Sequence, residues 1–232
     1  MRLLQALLTT AAVAGLVGCS QWQSAAWDTT RHFVRTDTAI EQAVLRPDLR
    51  YLRVTTNGSP ALLVLGDIDH DAAGRPVEVW YSASREVLRL QSGRLVGVAG
   101  MPVEWRDVRL PASLPNWQDI KTPVTFVRER DEMPGYRIGL REQMTVRPIA
   151  PPSGTGLLGT DAAALQWYEE TASASPDLPA TLAKQWRPLP PTRFAVRKAA
   201  TPRSYEPVYG EQCLVDNICL QWQTWPPRSP EN

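Results

Sequence analysis

The sequence predicts a mainly β protein: an antiparallel meander forming a sandwich or barrel-like single domain, with a short N-terminal helix and a Pro-rich, irregular second half. Three observations lead there. Between residues 51 and 146 apolar side chains recur at period two in short runs. Those runs are punctuated by turn dipeptides, Asn57-Gly58 and Ser92-Gly93 among them. The 232 residues are 43% hydrophobic with 14 Gly and 21 Pro, enough apolar material for a real core and enough breakers for many turns.

Met1 and Arg2 form a short positive start, and Leu3 to Val17 is an apolar stretch of about 15 residues, the length of a signal-peptide core and short of the ~20 that span a bilayer. It ends in Leu16-Val17-Gly18-Cys19, small residues before a cysteine, which is the lipobox pattern. Cleavage between Gly18 and Cys19 exposes a thiol for the diacylglyceryl thioether and an amine for a further acyl chain, and several chains anchor where one binds only marginally. Residues 1–18 are therefore read as a lipoprotein signal peptide and Cys19 as the lipidated residue. Ser20 stands where an Asp would favour inner-membrane retention, which points to an outer-membrane anchor facing the periplasm.

That assignment settles the odd count of three cysteines. Cys213 and Cys219 remain, and in an oxidising compartment they should pair. A hairpin with Val215-Asp216-Asn217 as a three-residue loop, Asn217 in the left-handed region, sets them face to face. Closing so small a ring contributes roughly 2–3 kcal/mol in the loop-entropy account. Removing Arg2 with the signal leaves 24 basic against 24 acidic residues, and a neutral chain has no footprint for nucleic acid.

Residues 19–27 read as a tether, and 28–232 as one β-rich domain. Asp28 to Leu45 reads as a helix with Phe33, Ile40 and Val44 on one face, ended by Arg46-Pro47. Strands follow at Tyr51–Thr56, Ala61–Leu65, Val77–Tyr81, Glu86–Gln91, Arg94–Val98, Val103–Leu110, Thr122–Arg130 and Tyr136–Val146. In the last, Tyr136, Ile138 and Leu140 alternate with Arg137, Gly139 and Arg141, predicting one dry face. Twelve of the 21 prolines lie between Pro151 and Pro230, yet Leu165–Thr171, Phe194–Lys198 and the Cys213–Cys219 hairpin keep strand character.

Few residues point to chemistry. Asp67, Asp69 and Asp71 have D-x-D-x-D spacing, with Glu78 where an EF-hand places its bidentate ligand. Ala72 holds the glycine position and both flanks read as strands, so the cluster reads as a polar hairpin tip closing through Gly74-Arg75-Pro76, with no metal expected. The only histidines are His32 and His70, and no G-x-S-x-G elbow occurs. No catalytic residue and no cofactor is assigned; a glycosidase-like carboxylate pair is the enzymatic alternative. Trp80, which alternates with Val79 and Tyr81, together with Trp105 and Tyr136, are the candidates for stacking on a sugar, against core packing. Arg128-Glu129-Arg130-Asp131-Glu132, with Arg137, Arg141 and Arg147, has the alternating charge of a solvated strand face, contact with an anionic polysaccharide being the alternative.

Arg50-Tyr51-Leu52-Arg53-Val54, Ala61-Leu62-Leu63-Val64-Leu65-Gly66, Val77-Glu78-Val79-Trp80-Tyr81-Ser82-Ala83, Glu86-Val87-Leu88-Arg89-Leu90 and Met133-Pro134-Gly135-Tyr136-Arg137, behind a lipobox, resemble the YjbF/GfcB family of group 4 capsule polysaccharide lipoproteins. The resemblance spans roughly residues 19 to 145. It implies a mainly β outer-membrane lipoprotein that works with other secretion-operon proteins in capsule or exopolysaccharide production or export, and it implies no enzymatic residue. A purely structural scaffold that never touches glycan is a further reading.

Overall fold

The computed structural model describes residues 40–198 and 205–227. Asn57 and Gly58 both adopt positive φ (46° and 85°), the conformation a tight two-residue hairpin needs, and join β1 (Tyr51–Thr56) to β2 (Ser59–His70). Ser92 and Gly93 (49° and 83°) do the same between β4 (Val87–Gln91) and β5 (Arg94–Ala99). β3 (Pro76–Ser82), β6 (Glu104–Arg109), β7 (Val124–Met133), β8 (Arg137–Ile149), β9 (Gln166–Ala174) and β10 (Thr192–Lys198) extend the meander. β11 (Tyr205–Val215) and β12 (Ile218–Trp225) bring it back, and β12 pairs with β1 to close the ring. The result is a closed up-and-down barrel of twelve antiparallel strands.

The polarity of this barrel is that of a water-soluble domain. Leu52, Leu63, Trp80, Leu88, Val98, Trp105, Val146, Tyr168, Phe194, Leu214, Leu220 and Trp222 come from strands all around the ring yet form one buried cluster, so they fill the lumen. Twelve strands enclose a wide interior, and large aromatics are what fill it. Gly210 lets Trp222 lie against β11, since a Cβ there would come within 2.4 Å of the indole. Outward positions carry charge: Arg109 pairs with Glu129 at 2.7 Å, Arg147 with Glu169 at 2.7 Å, and Arg193 with Glu211 at 2.9 Å. Such a wall is unfit to face hydrocarbon, where each charge is costly. Among the described residues no helix is long and apolar enough to cross a membrane.

Two smaller clusters lie on the outer face. Trp167 and Ala195 alternate with the lumen residues Tyr168 and Phe194, so they point outward, and Leu157 and Ala162 pack on their cluster. Tyr51 and Leu62 likewise alternate with Leu52 and Leu63, and pack with Ile40.

Several expectations are refined. Of the expected helix Asp28–Leu45 the described residues are helical at Ile40–Glu41 and irregular by Ala43, short of the expected end at Leu45; the rest of that helix, His32, the tether and residues 1–18 with Cys19 lie outside the described residues. Cys213 and Cys219 are disulfide-bonded and directly opposed, but the loop is Asp216-Asn217, with Val215 pairing Ile218 and the extra residue taken up as a bulge. Asn217 is not among the residues of positive φ. Tyr136 sits in the β7–β8 turn at φ 51°, and Gly139 (φ 73°) breaks the alternation of β8, so Tyr136 and Ile138 are exposed and the dry face begins at Leu140. The Pro-rich half carries four full strands, its prolines falling mostly in connections and at strand ends.

Candidate functional site at one rim of the barrel

Alternating strand direction puts the β2–β3, β4–β5, β6–β7, β8–β9 and β10–β11 connections at one end of the barrel. Here, at the upper rim, Asp71 closes the β2–β3 hairpin by accepting hydrogen bonds from the backbone N–H groups of Ala73 (2.9 Å) and Arg75 (2.8 Å). Its other oxygen accepts from Arg75 Nε (2.7 Å) and Gln91 Nε2 (2.9 Å). Burial works to raise the Asp71 pKa, but the bonds from Gln91, Arg75 and Ala73 outweigh it and hold the carboxyl well below the ordinary range. Of the D-x-D-x-D motif only Asp71 is a turn residue; Asp67 and Asp69 are exposed positions of β2, with Asp69 paired to Arg89 at 2.6 Å, and no group of three His, Cys, Asp or Glu among the described residues is placed to hold a metal ion. Arg75 is fixed further by donating to the carbonyls of Pro111 (2.7 Å) and Leu110 (3.0 Å), which ties the hairpin to the β6–β7 loop.

Behind Arg75 lies Arg94, the first residue of β5. Its side chain is 4% exposed, and its Nε donates to Glu170 Oε1 on β9 at 2.7 Å. The guanidinium carbon is 3.8 Å from the ring centre of Trp117, which sits in a one-turn 3-10 helix (Trp117–Asp119). Trp117 is held in turn: its Nε1 donates to the carbonyl of Ser92 (2.9 Å), its carbonyl accepts from the Tyr168 hydroxyl (2.7 Å), and its ring packs on Tyr168 and Phe194 with centroids 5.0 Å apart. Arg94 Nη2 is buried and has no hydrogen-bond acceptor. Leaving a charged donor unmatched costs about 1–3 kcal/mol or more.

Arg75, Gln91, Arg94, Asn116, Gln118 and Tyr205 contribute to a cleft of about 470 Å³. A second of about 470 Å³ adjoins it, sharing Arg75, Gln91 and Ala112, and a third of about 260 Å³ shares Ser92 and Pro207. The volumes suit small ligands or single units of a larger one. Arginine and amide groups offer planar donors for oxyanions and hydroxyls, a recognition surface in chemical terms.

The residues singled out from sequence are distributed differently. Trp80 and Trp105 are 1% and 0% exposed and belong to the lumen, so neither offers an open stacking face, although Trp80 is among the residues around the third cleft; a residue on the dry face of a closed strand ring has nowhere else to go. Tyr136 is 80% exposed but stands at the opposite end of the barrel. The acidic and basic run on β7 divides by parity. Glu129 and Asp131 face out to Arg109, while Arg128, Arg130 and Glu132 are buried, which corrects the reading of a wholly solvated face. Arg128 and Arg130 flank Trp105 with Cζ 5.0 and 4.7 Å from its ring centre, and both donate to Glu142 of β8. Arg94 carries little sequence signal, since it opens an otherwise apolar strand; one charge at the head of Leu95-Val96-Gly97-Val98 is the trace it leaves.

Fold and site together define a closed up-and-down barrel with a packed lumen, a charged outer wall and ligand-sized clefts at one rim. Among solved structures, the chain is similar to a hypothetical lipoprotein, YmcC from Escherichia coli (K12), with a TM-score of 0.58 at 14% sequence identity over 82% of this chain and 94% of that one. At that identity the likeness is one of fold. No protein-family model and no curated protein matches the sequence.

Proposed function

We propose that the protein is a non-catalytic lipoprotein, held through Cys19 at the inner leaflet of the outer membrane. Its barrel stands in the periplasm as an accessory factor in capsule or exopolysaccharide production or export. The observation that carries this reading is the polarity of the barrel: aromatic side chains occupy the lumen and ion pairs cover the outer wall. A body of that kind works in water beside a membrane and offers a polymer a rim to bind, not a channel to pass through. The lipobox ending at Cys19 and a fold shared with a hypothetical lipoprotein support the anchoring. The polysaccharide context rests on the family resemblance carried by residues 50–66, 77–90 and 133–137.

Deleting the gene and measuring surface polysaccharide tests the proposal; the expected outcome is reduced or periplasmically trapped polymer, and an unaltered surface would refute it. Cys19→Ser should abolish acyl labelling, and persistent labelling would remove the anchor from the account. Purified protein incubated with the polysaccharide should leave chain length unchanged; shortened chains would make the protein an enzyme.

A further inference from the structure

We infer that the cleft over Arg94 binds an acidic sugar unit, its carboxylate drawn to the Arg94 guanidinium and its hydroxyls to Gln91, Asn116 and Gln118. This deepens the accessory reading above and rests on it. Four observations converge. Arg94 and Arg75 are the charged residues lining the cleft, and both are arginines. Arg94 is held rigidly, by Glu170 on one nitrogen and by the Trp117 face at 3.8 Å, so its geometry is set before a ligand arrives. Its Nη2, nine-tenths buried or more with the rest of the side chain, has no acceptor, and an incoming carboxylate oxygen is the partner it lacks. The neutral polar residues lining the cleft carry amides (Gln91, Asn116, Gln118) and hydroxyls (Ser92, Tyr205), which suit a sugar's hydroxyl groups more than a bare inorganic anion.

The flanking clefts leave room for a chain beyond the single unit. Because the central cleft shares Arg75 and Gln91 with one neighbour and Ser92 and Pro207 with the other, units on either side of the acidic one have space along the rim. The occupant is therefore a segment of acidic polysaccharide, with the acid at the centre.

Titration calorimetry of the full-length lipoprotein in detergent separates the possibilities, using a galacturonic acid trisaccharide, maltotriose and inorganic phosphate as probes. The acidic trisaccharide should bind at least about tenfold more tightly than maltotriose and than phosphate, a margin set by one charge-assisted contact. Arg94→Lys, which keeps the charge but not the fork, should lose about tenfold in affinity with an unchanged circular dichroism spectrum. Should Arg94→Lys fail to fold, Gln118→Ala on the β6–β7 loop carries the test with an expected loss of severalfold. Equal binding of acidic and neutral trisaccharides, binding of neither, phosphate as tight as the sugar, or folded variants of unchanged affinity would each overturn the assignment. A deletion strain with normal surface polysaccharide sinks the accessory role while leaving this titration intact. A flat titration beside a polysaccharide-deficient strain does the reverse.

Discussion

Arg128–Glu142 and Glu129–Arg141 are neighbouring cross-strand pairs on the same two strands, one register step apart, and they face opposite sides of the barrel wall. In the lumen, Arg128 Nη2 lies 2.7 Å from Glu142 Oε2, with 6% and 0% of the side chains exposed. On the outer wall, Arg141 Nε lies 3.6 Å from Glu129 Oε2, with 41% and 35% exposed. The chemistry is the same and the solvation is not. Inside, water does not readily replace a lost partner, so losing one member of an ion pair leaves a buried charge that only protein can meet; outside, the side chains are partly exposed and water can stand in for a lost partner. Glu142 accordingly accepts five hydrogen bonds, from Arg128, Arg130 and Trp186. Arg130 and Arg137 also meet Glu132, which extends the network to the lower rim.

The comparison breaks most visibly at Glu142. Glu142→Gln leaves Arg128 and Arg130 in the lumen without the carboxylate between them, and should destabilise the protein by about 3–5 kcal/mol. Urea denaturation of the variant measures this; a loss below about 1 kcal/mol would mean that water reaches the lumen.

Acid titration probes the same carboxylate without mutation. Burial by itself would raise the Glu142 pKa, but the charges of Arg128 and Arg130 and the hydrogen bonds from Arg130 and Trp186 outweigh it and draw the value from 4.5 down to about 2. The folded value lies below the unfolded one. The associated stability, on the order of 3 kcal/mol, is therefore fully present above pH 4.5 and is lost as pH falls toward 2. Unfolding free energy measured across that window should drop steeply in the native protein and be flatter in Glu142→Gln. Equal slopes would assign the acid sensitivity to other carboxylates.

Much of this architecture was legible in the sequence, for a physical reason. Period-two runs and the Asn57-Gly58 and Ser92-Gly93 turns are local signals, and so is the close spacing of Cys213 and Cys219, although the register that opposes them is reached through a bulge the spacing did not show. Closure of the ring was not legible, because the pairing of β1 with β12 joins residues far apart in the chain and leaves no local trace. The fate of Arg128 and Arg130 was hidden likewise. A charged residue on alternate positions reads as the wet face, and only the compensating Glu142, met across the lumen wall, allows it to be the dry one. The rim cleft draws on the β2–β3, β4–β5 and β6–β7 connections and the start of β11, and Arg94 acquires its role only when Trp117, far along the chain, is laid over it.

Trp186 tests how far the lumen's demand for partners extends toward the rim. Its Nε1 donates to Glu142 Oε1 at 3.0 Å from the β9–β10 connection, which also carries the four-residue helix α1 (Ala180–Ala183). Trp186→Phe keeps most of the apolar contact and deletes the donor. The expected loss is about 1–2 kcal/mol in thermal or urea unfolding, the range for a hydrogen bond to a charged group that is partly exposed. A loss no larger than that of an outer-wall substitution would show that the four arginine donors alone satisfy Glu142.

The smallest effect is expected on the outer wall, and it completes the contrast. Glu129 sits between Arg109 at 2.7 Å and Arg141 at 3.6 Å, a geometry that on distances alone looks as engaged as the lumen pair. Glu129→Gln should nonetheless cost at most about 1 kcal/mol, because both arginine side chains are substantially exposed overall, Arg109 keeps Asp107 and Asp131 as partners, and Arg141 keeps Asp177. That small cost should shrink further between low and high salt, since exposed charges are screened and buried ones are not. Measured side by side in urea at two ionic strengths, Glu142→Gln should show a large loss that salt leaves alone, and Glu129→Gln a small one that salt erases. If the outer pair proved as costly as the inner, burial would not be what sets the strength of these pairs, and the two faces of the barrel wall would be electrostatically alike.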